Sequence, residues 1–103
     1  MPKTLRPKTN QQPYIYKLAL TIDGEKKYYI DCNVEETARP NQMREGYTPS
    51  SEVIDNALSK GAIIIDRSVL HKFENSDQGR EMAQEYLVDL KRFLKSDSAH
   101  YLS

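Results

Sequence analysis

The chain has 103 residues, enough for one domain with a modest core and too few for two. Lys plus Arg equals Asp plus Glu at 15 each, which argues against a protein that coats nucleic acid through net charge and leaves room for a local basic surface. A single cysteine allows no internal disulfide, and no apolar run approaches a membrane span or the core of a signal peptide, so the cytoplasm is the expected compartment.

Residues 1–13 carry three prolines together with Lys3, Arg6 and Lys8 and no acidic residue, the composition of a disordered basic arm. From Tyr14 the pattern changes. Tyr14, Tyr16, Leu18, Leu20 and Ile22 alternate with the residues between them, and after Asp23-Gly24 the alternation resumes at Tyr28, Ile30, Cys32 and Val34. A period of two predicts a β-hairpin with one face buried. If both even-numbered sets share that face, the loop must hold an odd number of residues, which favours a three-residue loop Ile22-Asp23-Gly24 that pairs Leu18 with Tyr28 and Tyr16 with Ile30. A two-residue Asp-Gly loop ranks lower, because it would put Lys27 and Asp31 on the apolar face. Cys32, on that same face, reads as a buried thiol.

A long polar connection, residues 33–47, follows. Thr48-Pro49 then predicts a helix, with the threonine as N-cap and Val53, Ile54, Ala57 and Leu58 as its apolar stripe up to Lys60-Gly61. Ala62 to Asp66, with three successive isoleucines, reads as a strand buried on both faces. Residues 67–74 fit either its continuation or a short helical turn, with His71 a surface residue rather than a general base. Ser76 or Asp77 caps the last helix, predicted over 78–95 from the stripe Met82, Ala83, Tyr86, Leu87, Leu90, Phe93 and Leu94. Residues 96–103 read as a flexible tail. The order β-β-α-β-α predicts an α+β domain over 14–95, with a three-stranded, mainly antiparallel sheet and helices packed on it.

The chain has no Cys-x-x-Cys, no phosphate-binding glycine loop, no His-x-x-x-His and no Gly-x-Ser-x-Gly. One constellation does stand out. Tyr14-Ile15-Tyr16-Lys17-Leu18, the turn Asp23-Gly24-Glu25-Lys26 and Tyr29-Ile30-Asp31 resemble the hairpin motifs of the GIY-YIG nucleases. That family follows its second motif with an arginine, a helix, a strand and a helix bearing a metal-binding glutamate. Arg39 and Glu85 occupy similar positions here, so the resemblance spans most of residues 14–95.

The resemblance implies that Glu85 binds a divalent metal, Mg²⁺ or Mn²⁺, acting as Lewis acid on the leaving oxygen of a phosphodiester. Arg39 would offset charge on the scissile phosphate, and Tyr16 or Tyr29 would orient or deprotonate the attacking water. Tyr14 and Asp31 stand where the two motifs carry glycine, a pattern of either a divergent nuclease or a scaffold that kept the fold and lost the reaction. Tyr16 and Tyr29 share a sheet face only if the hairpin holds a bulge or an even loop. Glu81, Glu85 and Asp89 form one row along the last helix, which a solvated acidic face explains as well as a metal site.

Two functions therefore stand as expectations. The first is a nucleic-acid-binding domain, DNA ranked ahead of RNA, that uses Lys17, Lys26, Lys27 and Arg44 for phosphates and either cleaves with a divalent metal or binds without cleavage. The second is a non-enzymatic interaction module, a regulator or inhibitor working through a protein partner.

Overall fold

The computed structural model describes residues 11–44, 46–49, 51–95 and 100–102. The elements follow the predicted order: β1 (Tyr14–Ile22), β2 (Glu25–Asn33), α1 (Glu52–Ser59), β3 (Ile63–Lys72) and α2 (Asp77–Phe93), with a 3₁₀ turn at Pro40–Gln42. The strands form one antiparallel sheet in the order β2-β1-β3.

β1 is the central strand, and both of its faces are covered. Leu18 and Leu20 on one face and Ile15 on the other are each 0% exposed. Tyr14, Tyr16, Leu18 and Leu20 pack with Tyr29 of β2, with Ala38 and Met43 of the connection, and with Ile54 and Ala57 of α1. Ile15 packs with Ile30, with Phe73 and with Ala83 of α2, flanked by Cys32, Leu87 and Leu90. The two helices thus lie on opposite sides of the sheet.

This double burial corrects the hairpin loop. β1 and β2 are joined by the two-residue turn Asp23-Gly24, which pairs Leu18 with Tyr29 and Tyr16 with Asp31. Both turn residues have positive φ, 51° and 82°, the primed turn whose twist matches that of the strands it joins. The one-sided parity argument fails because the two apolar sets need not meet. The even-numbered residues of β2 serve α2, and Tyr29 joins Tyr16 on the side of α1. No atom lies within 4 Å of a Cβ added at Gly24, so Gly24→Ala meets only the left-handed backbone penalty. It is expected to cost about 1 kcal/mol, seen as a lower urea midpoint with an unchanged slope.

Residues 67–72 continue β3 rather than forming a helical turn. The isoleucines are not buried on both faces: β3 is an edge strand, and Ile63 and Ile65 are exposed. The cap of α1 is Ser51, whose hydroxyl accepts from the Ile54 N–H, and Thr48-Pro49 lie outside the helix. Ser76 caps α2 in the same way, through the Gly79 N–H at 3.0 Å. The predicted α2 stripe is buried at Ala83 and half-buried at Leu87, Leu90 and Leu94, while Met82, Tyr86 and Phe93 are exposed.

Residues on both sides of 14–95 are hydrogen-bonded to it. Of the arm predicted over 1–13, residues 1–10 lie outside the described residues. Gln12 is tied to the domain through its N–H to the Ala38 carbonyl at 2.8 Å, and the Pro13 carbonyl accepts from the Phe73 N–H at 2.9 Å. Of the predicted tail, Tyr101 bridges to Tyr28 on the outer edge of β2, and the Leu102 N–H donates to the Tyr28 carbonyl at 2.7 Å. No helix among the described residues is long and apolar enough to cross a membrane.

Candidate functional site

The even loop brings Tyr16 and Tyr29 together, with ring centroids 6.3 Å apart, and Tyr14 lies 6.0 Å from Tyr16. The fourth member of the group is Asp31, the cross-strand partner of Tyr16. The Tyr29 hydroxyl donates to Asp31 Oδ2 at 2.6 Å and meets Ser51 Oγ at 2.9 Å. With its proton committed to the carboxylate, the Tyr29 oxygen is the acceptor for Ser51. Asp31 Oδ1 accepts the Cys32 N–H at 2.8 Å, so both carboxylate oxygens are held in place. Tyr14 donates to Gln42 Oε1 at 2.8 Å, and the same oxygen takes the Arg39 N–H at 3.1 Å.

Tyr16 differs from its neighbours. It is 3% exposed, yet among the described residues its hydroxyl has no hydrogen-bond partner. It lines a cleft of about 340 Å³ that Asp31, Asn33, Glu35, Gln42 and Tyr47 help to wall, and among the described residues no Lys or Arg is in the lining. Burial pushes the Tyr29 phenol up to about 12, with the bond to Asp31 adding to it. Burial raises Tyr16 further still, with the Asp31 charge second, and raises Tyr14 as well. A phenol held protonated in this way is a poor general base at neutral pH. On the other side of the sheet, burial pushes the Cys32 thiol up, and the side chain is half-buried rather than fully enclosed.

The remaining residues singled out from the sequence are scattered. Arg39 is exposed at the head of the 3₁₀ turn and is absent from the cleft lining. Glu85 is exposed on α2, the helix that packs on the opposite face of the sheet from Tyr16 and Tyr29. Lys17 lies over the Tyr28 ring at 4.3 Å, on the α2 side with Lys26, whereas Lys27 belongs to the Tyr29 side and pairs with Glu25 at 3.7 Å. Arg44 stands in the connection beside Ile64–Arg67 of β3. These four cations form no common stripe, and His71 is exposed, stacked on Tyr86 at 5.1 Å.

Sequence reasoning picked the two tyrosines and passed over Asp31, Gln42, Tyr47 and Ser51. Asp31 was legible as a residue out of place at a motif glycine, but its partners are set by the two-residue turn and the folding of the long connection. Among the described residues no group of three or more His, Cys, Asp or Glu could hold a metal ion. Glu85 belongs to no such group, and α2 carries it on the face of the sheet opposite Tyr16 and Tyr29. Compared with known proteins, the chain matches no family model, no curated protein and no solved structure.

Proposed function

We propose that this chain is a non-enzymatic interaction module, cytoplasmic, built on a GIY-YIG-like hairpin and acting on a protein partner. Asp31 carries the reading. At the position of a motif glycine it sets a hydrogen-bonded carboxylate beside Tyr16 and Tyr29, in a cleft that holds Glu35 and, among the described residues, no Lys or Arg. A phosphodiester needs the opposite sign of charge there. The protonated phenols and the remoteness of Glu85 point the same way. The side-by-side placement of Tyr16 and Tyr29 favours the second reading, a nuclease of divergent type, and the two are separable by assay.

Single- and double-stranded DNA and RNA are incubated with the chain and with Mg²⁺ or Mn²⁺, beside Glu85→Ala and Arg39→Ala. The expected result is no cleavage that either substitution removes. Cleavage abolished by Glu85→Ala or Arg39→Ala would overturn the module and restore the nuclease.

A further inference from the structure

The cleft beside β2 holds two unusual groups that nothing in the fold uses up. The first is the Tyr16 hydroxyl, on a side chain 97% enclosed (3% exposed) and without a hydrogen-bond partner among the described residues, at the wall of the cleft. No buried side-chain oxygen or nitrogen among the described residues lacks a partner, so this hydroxyl opens onto the cleft and is free to bond to what enters it. The second is the Asp31 carboxylate. It accepts the Tyr29 O–H and the Cys32 N–H, and neither is a cation. Among the described residues no Lys or Arg forms an ion pair with it. Its two fixed oxygens keep acceptor capacity, since a carboxylate offers about four lone-pair sites.

We infer that the cleft binds the guanidinium of an arginine side chain presented by a protein partner, with Asp31 and Glu35 as counter-charges and Tyr16 Oη as a further acceptor. Charge selects a cation, since among the described residues the lining has two carboxylates and no basic side chain. Shape and hydration select guanidinium over ammonium. Its planar fork can address Asp31 and the Tyr16 oxygen at once, and it sheds water readily to lie against the half-buried Tyr47 ring. A cleft of about 340 Å³ is small, suited to one side chain rather than a peptide segment. Prior fixing of Asp31 by the Tyr29 O–H and the Cys32 N–H lowers the ordering cost of binding.

This inference rests on the interaction-module reading, but the two can fail separately. Metal-dependent cleavage would remove the module without bearing on cation binding, and an empty cleft would leave the module with its contact surface elsewhere.

The test titrates the full ¹⁵N-labelled chain with ethylguanidinium, followed by amide shifts, beside ethylammonium and inorganic phosphate. Expected are saturating shifts confined to the cleft, at Tyr16, Asp31, Asn33 and Tyr47, with ethylguanidinium about threefold tighter than ethylammonium. Asp31→Asn is expected to weaken binding about tenfold, and Tyr16→Phe about threefold. Tyr16→Phe removes no internal hydrogen bond, so its urea midpoint should not fall, which separates a ligand contact from a structural role. Glu35→Gln, at an exposed position, is the second charge variant should Asp31→Asn fail to fold. Shifts outside the cleft, shifts unchanged in both charge variants, tighter binding of ethylammonium, or equal shifts with phosphate would each overturn the inference.

Discussion

Gly79→Ala is expected to destabilise the fold by about 3 kcal/mol, at the upper end of the usual cost of overpacking. Gly79 is buried in the first turn of α2, and a Cβ built on it lies 1.8 Å from the Glu74 carbonyl oxygen and 2.8 Å from the Glu74 carbonyl carbon. The obstacle is backbone, so no rotamer change relieves it. Glu74 cannot retreat freely, because its carbonyl accepts the Ser76 N–H at 2.9 Å while Ser76 Oγ caps the helix through the Gly79 N–H at 3.0 Å. Relief therefore requires opening the turn that docks α2, and with it the packing of Ala83 on Ile15 and Ile30. Gln78→Ala, one residue earlier and exposed, is the control and should shift stability by no more than about 0.5 kcal/mol. Urea unfolding of the two variants checks this. Equal midpoints would show that the turn gives way without cost.

Much of the fold could be read from local pattern, and the failures share one physical origin. Element order, the helix stripes Val53–Leu58 and Ala83–Leu94, and the hairpin at Asp23-Gly24 follow from periodicity and turn chemistry, which are local. The hairpin register is not local. It depended on whether β1 is covered on one side or two, and that is decided by where α2 docks some sixty residues later. Tyr28 and Tyr29 show the ambiguity, since adjacent tyrosines carry no periodic information about which one points toward Tyr16. The edge position of β3 was hidden for a similar reason. Three isoleucines look the same in a central strand and in an edge strand. The site was legible in its tyrosines and not in its chemistry. Gln42, Tyr47 and Ser51 come from an aperiodic connection, whose path is set by hydrogen bonds to side chains on β1 and β2.

The buried phenols also make stability fall in alkali. Tyr29 is 4% exposed, and its phenol, ordinarily near 10, is pushed up to about 12. Between those values the unfolded chain has lost a proton that the folded chain retains. The unfolded state then binds fewer protons, so the stability is present in full below about pH 10 and is lost as pH rises toward 12. That shift makes the loss from Tyr29 on the order of 2 kcal/mol at most, since solvent at the cleft screens part of it, and Tyr14 and Tyr16 shift in the same direction. Urea midpoints at about pH 8 and pH 11 should therefore fall steeply, with tyrosinate absorbance rising as the fold opens. Tyr16→Phe sharpens the test. It removes the phenol whose ionisation is pushed up furthest without removing an internal hydrogen bond, so it should leave stability at neutral pH intact and reduce the alkaline loss. Tyr29→Phe should cost about 1 kcal/mol at neutral pH, through the lost bonds to Asp31 and Ser51, and should also blunt the alkaline loss. A midpoint unchanged at high pH would mean that these phenols reach water in the folded chain. They would then be free to ionise, and the strongest physical objection to Tyr16 or Tyr29 as a base would disappear with the stability effect.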